Sequence, residues 1–191
     1  IPEILESLGM NGVQRAAAMG SIIGRMANPA SELGTWNWLK NNSAAGELLD
    51  ADFEAMPLMR LYRVSDLLIR RRDDIEKALY ARISDLFSPQ DTVTLYDLTN
   101  TYFEGQLSGN PKAKRGNSKE KRTDCPLVTL GLVLDGSGFI RRSRMFEGNV
   151  SEALTLEKML TELSALPTAM VIMDRGIATE DNIAWLVEHQ Y

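Results

Sequence analysis

The sequence predicts a mixed α+β and α/β protein in two parts, an all-α region at 1–89 and a mixed sheet with flanking helices at 90–191. Three observations carry this prediction. Up to about Phe87 the apolar residues recur at helical spacing. After Pro89 they gather into short runs rich in β-branched and aromatic residues. Two of those runs are joined by Asp135-Gly136-Ser137-Gly138, a tight-turn signal far too short to hold a crossover helix.

In the first part, Leu58, Leu61, Tyr62, Val64, Leu67 and Leu68, followed by Ile75, Leu79, Ile83 and Leu86, keep the helical period. Breaks at Gly9-Met10-Asn11-Gly12, Asn28-Pro29, Asn41-Asn42-Ser43 and Met56-Pro57 divide the region into four or five helices. Trp36 and Trp38 fall inside it and are read as core residues rather than as platforms for stacked bases. In the second part strands are predicted at 92–98, 127–134, 139–146 and 168–173, the second and third forming an antiparallel hairpin. Ser151-Glu152 opens a helix with Leu154, Leu156, Met159, Leu160 and Leu163 as its apolar positions, and Leu166-Pro167 ends it. Thr179 caps another helix, from Glu180 to about Glu188. The order is strand, polar excursion, hairpin, helix, strand, helix. A ribonuclease-H-like sheet begins in this order, whereas a doubly wound sheet needs crossover helices among its first three strands.

With 191 residues, 44% of them hydrophobic, the chain can fill one core and a helical appendage, or two cores. Its apolar runs fall far short of the roughly 20 residues of a membrane span, so no membrane partner is expected. Ile1-Pro2-Glu3-Ile4 lacks a signal-peptide pattern and an initiator Met and reads as a cut end. One cysteine, Cys125, and one histidine, His189, supply neither an internal disulfide nor a zinc set, and a reducing cytoplasm is expected. The surroundings of Cys125 argue against a nucleophile, and His189 is read as a surface residue.

Net charge is −5, from 21 basic and 26 acidic residues, which excludes a dedicated nucleic-acid coat and makes any DNA contact local. Residues 112–122 hold Lys112, Lys114, Arg115, Lys119, Lys121 and Arg122 against Glu120 alone, a pattern suited to phosphate. They belong to a basic loop at 105–126, whose part from Gly105 to Gly116 lacks phosphate-loop spacing and is read as a flexible arm. Arg70-Arg71-Arg72 reads as a solvated face, and Arg141-Arg142 with Arg144 forms a further basic cluster.

Two acids stand where apolar strands would bury them. Asp97 lies in Tyr96-Asp97-Leu98-Thr99-Asn100, and Asp174 follows Val171-Ile172-Met173 at the end of a strand, the edge where open α/β sheets collect ligands. On neighbouring strands the two carboxylates would repel unless a divalent cation lay between them, and Mg2+ suits such hard oxygen ligands. Two such ions about 4 Å apart activate an attacking oxygen and stabilise the leaving oxygen of a phosphodiester. Residue by residue, blander roles stay open: Asp97 as a strand-end acid beside Thr99 and Asn100, Asp174 as the partner of Arg175 or a cap of the next helix.

The string of motifs is more specific than any of its members. Tyr96-Asp97-Leu98-Thr99-Asn100-Thr101-Tyr102-Phe103-Glu104-Gly105, Lys114-Arg115-Gly116 with Ser118-Lys119, Lys121-Arg122-Thr123-Asp124-Cys125-Pro126, Val128-Thr129-Leu130-Gly131-Leu132, Phe146-Glu147-Gly148-Asn149, and Asp174-Arg175-Gly176-Ile177-Ala178-Thr179 with Asn182 together resemble the catalytic region of DDE-type insertion-sequence transposases. Arg25-Met26-Ala27 and Leu61-Tyr62-Arg63 extend the resemblance loosely into the helical part. The resemblance implies a ribonuclease-H-like core in which Asp97 and Asp174 are the first and second acids of the triad and bind Mg2+ or Mn2+. It further implies that the basic loop, with Asn100 and Arg175, and the helical domain meet DNA at transposon ends and target, and that the full-length protein acts as a homodimer in the bacterial cytoplasm or nucleoid. The third acid of such a triad lies beyond Tyr191, and Glu180, Asp181 and Glu188 are poor substitutes, so the expectation is an incomplete catalytic domain with weak or absent strand cleavage. It also leaves an open sheet edge beside 168–173. A non-catalytic DNA-binding or oligomerising remnant is the main alternative, and a cellular ribonuclease-H-like nuclease the third reading.

Overall fold

The computed structural model describes residues 1–87, 93–104, 107, 109–116, 124–163 and 169–191. The chain divides into two compact units, Ile1–Leu79 and Tyr80–Tyr191.

The first unit contains α1 (Pro2–Ser7), α2 (Gly12–Ala27), α3 (Glu32–Asn41), α4 (Ala45–Leu49), α5 (Met59–Arg70) and the beginning of α6 (Arg72–Phe87). The breaks at Gly9–Gly12, Asn28-Pro29, Asn41–Ser43 and Met56-Pro57 fall between helices as predicted. Local chemistry sets the boundaries. Asn11 and Gln14 form a reciprocal capping box at the start of α2, and the Ser31 hydroxyl accepts the Gly34 amide at the start of α3. The helices close over Leu5, Ala17, Ala18, Leu39, Phe53, Leu61 and Val64. Trp36 and Trp38 pack against this core, and the Trp36 indole N–H donates to the Met56 carbonyl at 2.7 Å, so both are structural. Gly20 and Gly24 let α2 approach its neighbours, since a Cβ on Gly20 would lie 2.8 Å from the Phe53 ring and one on Gly24 2.5 Å from Thr35 Cγ2. One break was not foreseen: the helical period runs on from Leu58 to Leu86, yet the chain turns at Arg71 between α5 and α6.

The second unit is built on a four-stranded mixed sheet in the order β3-β2-β1-β4, with β1 at Val93–Tyr102, β2 at Leu127–Asp135, β3 at Ile140–Glu147 and β4 at Met170–Met173. Strand β1 pairs antiparallel with β2 and parallel with β4, and β2 pairs antiparallel with β3. The predicted Asp135–Gly138 turn is present, and the buried Asp135 carboxylate explains it by accepting the Ser137 and Phe139 amides at 2.9 Å each. Gly138 takes a φ of 87°, a conformation open to glycine at little cost. After β3, Glu152–Thr155 forms a single 3₁₀ turn that leads into α7 (Leu156–Leu163), and after β4, Thr179 caps α8 (Glu180–Glu188) by accepting the Asn182 amide. The predicted strand starts at 92 and 168 and the Leu166-Pro167 stop lie outside the described residues.

One face of the sheet buries Tyr96, Leu98, Val133 and Phe146 against Leu156, Met159, Leu160, Ile177 and Leu186. Full burial of each large side chain contributes about 1.5–3 kcal/mol. On the opposite face Asp97, Thr99 and Ile172 are exposed, while Leu130, Leu132 and Leu134 are half-buried. Among the described residues no helix is long and apolar enough to cross a membrane.

Candidate active site

Strand alternation separates Tyr96 from Asp97. Tyr96 is buried in the core, so Asp97 must project from the open face, and it is exposed there. The desolvation expected from the apolar setting of Asp97 therefore does not arise. The parallel register of β1 and β4 runs Val93 with Met170, Thr94 with Val171, Leu95 with Ile172 and Tyr96 with Met173. One further step along this register would bring Asp97 level with Asp174, which stands one residue past the end of β4. Met173 leans into the core beside Tyr96, and Asp174, next in the chain, is exposed. Asp97 makes no ion pair or side-chain hydrogen bond among the described residues.

The turn that carries Asp174 is held from several sides. One carboxylate oxygen of Asp174 accepts the Arg175 amide at 2.6 Å, and its carbonyl accepts the amides of Ile177 and Ala178. The helix-capping role left open for Asp174 falls to Thr179 instead, and the bond to the Arg175 amide occupies one carboxylate oxygen of Asp174. The Arg175 side chain is exposed and makes no ion pair with Asp174. Asn182 secures the turn from below, its side-chain amide donating to the Ile177 carbonyl at 2.6 Å and to the Ala153 carbonyl at 2.9 Å.

Glu152 is the residue that sequence reading missed as part of this site. It was assigned only to a helix start, but its carboxylate lies 3.2 Å from where a Cβ on Gly176 would stand. A signal existed in Gly176, which leaves room for that carboxylate. Glu152 also bears on Tyr96, whose hydroxyl donates to Thr155 Oγ1 at 2.6 Å while Thr155 donates to the Glu152 carbonyl at 2.6 Å. Burial above all, and then the nearby carboxylates of Glu152 and Asp97, push the Tyr96 phenol up to about 12, against the lowering effect of the Thr155 bond. Among the described residues no three His, Cys, Asp or Glu side chains converge as a metal cluster. A cation at the seam would have two carboxylates, a donor set that fits Mg2+, which commonly keeps several waters and takes further oxygens from phosphate.

The predicted DNA-facing residues are described in part. Asn100 accepts the Thr129 hydroxyl at 2.7 Å and lines a cavity of about 450 Å³ with Gly116, Thr129, Asn149, Ser151 and Glu152. Residues 109–116 are not the loose arm predicted. Lys114 bridges Leu127 through both backbone groups, and the Lys112 ammonium donates to the Met145 carbonyl at 2.6 Å. Gly148 makes this docking possible, because a Cβ there would collide with the carbonyls of Leu127 and Lys114. The side chains of Lys114 and Arg115 remain exposed. Lys119, Lys121 and Arg122 lie outside the described residues.

Other basic residues of this unit are structural. Arg144 pairs with Glu162, Arg142 donates to the Glu162 carbonyl at 3.2 Å, and Arg141 lies over the Tyr80 ring at 4.9 Å. Cys125 is buried with its thiol 3.3 Å from an Asp124 carboxylate oxygen, and His189 is exposed and stacked on Trp185.

No protein-family model and no curated protein matches this chain. A solved structure described as "Mos1 transposase paired-end complex with left transposon end" is similar at a TM-score of 0.33 and 12% identity, over 90% of this chain and 56% of that one. The chain thus spans little more than half the length of that protein.

Proposed function

We propose that this chain is the helical and ribonuclease-H-like part of a DDE-type transposase, acting on transposon-end and target DNA. The observation that supports the reading is the parallel register of β1 and β4, which, carried one residue past Tyr96 and Met173, would bring the exposed Asp97 and Asp174 level with each other. Two neighbouring carboxylates without cationic partners repel each other, and a divalent cation is the simplest compensation. Asp97 and Asp174 would hold Mg2+ or Mn2+, and the bound ion would supply Lewis acidity at a phosphodiester and activation of an attacking oxygen. The chain's own groups have separable tasks. Asn182 fixes the turn that presents Asp174, while Lys114, Arg115 and Arg175 offer exposed cations to the phosphates of a bound strand. The motif string from Tyr96 to Asn182 supports the transposase assignment over other metal-dependent nucleases.

A non-catalytic DNA-binding remnant is the second reading, favoured by the lack of a third acid beside the pair among the described residues. Mn2+ titration followed by water-proton relaxation, on the wild-type chain and on Asp97→Asn and Asp174→Asn, tests the pair. The expected result is saturable binding in the wild type that weakens at least about ten-fold in each variant. Equal binding in all three proteins refutes the shared site. Mn2+ binding without nicking of supercoiled DNA supports the remnant.

A further inference from the structure

The sequence reading treated Arg70-Arg71-Arg72 as a solvated face, but the structure separates these residues. Arg71 pairs with Asp74 at 3.5 Å and Arg72 with Asp73 at 2.7 Å, whereas Arg70 has no ion pair among the described residues. Two more arginines of α5 share this condition. Arg60, half-buried, and Arg63, exposed, likewise have no carboxylate partner. Asp66 lies one turn from Arg70 and is not paired with it. A half-buried guanidinium without an acceptor is costly unless something outside the chain supplies one.

The three arginines also share a direction. Positions 60, 63, 67 and 70 are spaced by three, four and three residues, so they line one face of the helix. Arg60, Arg63 and Arg70 surround a cavity of about 240 Å³ whose floor is Val64 and Leu67 and whose far wall is Gln14. Gln14 belongs to the first turn of α2, a 16-residue helix whose positive end therefore adds to the field of the groove. At 1.5 Å per residue the arginines extend over about 15 Å, close to the rise of about four nucleotides along one DNA strand.

We infer that this groove is a docking surface for the phosphate backbone of duplex DNA, with Arg60, Arg63 and Arg70 each facing a phosphate along one strand. Guanidinium groups suit this task, since their fork of donors matches phosphate oxygens. The surface lies in the helical unit, whereas Lys114 and Arg115 belong to the second unit. The choice of DNA among polyanions rests on the transposase reading, while the groove itself does not. Because phosphates carry no base sequence, the contact is expected to be independent of sequence.

The experiment measures binding of the whole chain to a short duplex of arbitrary sequence by fluorescence anisotropy across a salt series. In Arg60→Ala/Arg63→Ala/Arg70→Ala, loss of three phosphate contacts should reduce the slope of log affinity against log salt by about 2.7 and weaken binding at low salt by about ten-fold or more. The triple Arg→Lys variant keeps the charge and should retain most of the slope, which separates lost charge from lost fold. A triple Ala variant with wild-type slope and affinity overturns the inference. So does displacement of the duplex by polyglutamate at equal charge concentration, which would point to an acidic protein partner. Mn2+ affinity of the triple Ala variant, measured alongside, should equal that of the wild type, so a failed metal site and a failed groove give different results.

Discussion

Replacing Tyr96 by Phe tests how the buried face of β1 is tied to the turn before α7. The ring stays, but the hydroxyl that donates to Thr155 at 2.6 Å is lost. A buried neutral hydrogen bond contributes about 0.5–1.5 kcal/mol net, so the variant should be about 1 kcal/mol less stable near pH 8. Ionisation acts in the opposite direction. Burial and the fields of Glu152 and Asp97 raise the folded pKa from the ordinary 10.0 to about 12. A group whose pKa is raised on folding gives its full contribution below the unfolded pKa and loses it as pH climbs to the folded value. The window here is pH 10 to 12, and about 1.4 kcal/mol per pH unit gives a loss near 2.7 kcal/mol in the wild type alone. The two stability curves should therefore cross, the Phe variant becoming the more stable by about 1.5 kcal/mol near pH 12. Urea melts followed by circular dichroism over a pH series measure this directly. Curves that remain parallel from neutral pH to pH 12 would show that Tyr96 is not held protonated as its burial implies.

Other perturbations probe separate joints. Asn182→Ala removes both bonds that fasten the Asp174 turn and should cost about 1–3 kcal/mol while weakening Mn2+ binding, both read on the purified chain; unchanged metal affinity would free that turn of any positioning role. Gly131→Ala places a Cβ 2.9 Å from the Phe146 ring, 3.3 Å from Leu98 and 3.4 Å from the Tyr96 hydroxyl, an overpacking expected to cost about 1–3 kcal/mol in a urea melt. Gly148→Ala should undock 112–114 and speed hydrogen exchange at the amides of Lys114 and Leu127, which otherwise bond across the bridge. Leu61→Ala empties a fully buried site in the helical unit and should cost about 2–5 kcal/mol there, visible as accelerated exchange in α2 and α5.

What the sequence disclosed follows from how local each signal is. The Asp135–Gly138 turn and the Thr179 cap were legible because side chain and backbone partner lie within four residues. The helix breaks at Gly9, Pro29 and Pro57 were legible because glycine and proline punctuate the backbone wherever they stand. The break at Arg71 carries no such residue, and the apolar period continues across it. The docking of 109–116 escaped notice because its causes, Gly148 and the Leu127 backbone, lie far along the chain. Glu152 was hidden for the same reason: its nearness to Gly176 requires the β3–α7 and β4–α8 connections to meet, and no period or cap reports that. The acids themselves were conspicuous as charges in apolar runs, but their pairing depends on a parallel register that residues 93–96 and 170–173 alone do not announce.

Carried one residue further, that register would also explain how two like charges come to sit together. Their mutual repulsion cannot hold them there, and Asp97 has no cation beside it among the described residues. The force comes from the other face of the sheet. Burying Tyr96 and Leu98 against Met159, Leu160 and Ile177 turns every second residue of β1 outward, and Met173, packed against the same core, does likewise for Asp174. Sliding β4 by one residue would relieve the carboxylates but would carry Met173 and Val171 out of the core and Ile172 into it, reversing each side chain of the strand. The hydrogen bonds of Asn182 and the latch from Tyr96 through Thr155 to Glu152 oppose the same slip. Acids brought together in this way would repel against the pull of the core, a conflict that a bound cation would remove, and conflicts of this kind between local preference and global packing gather at functional sites.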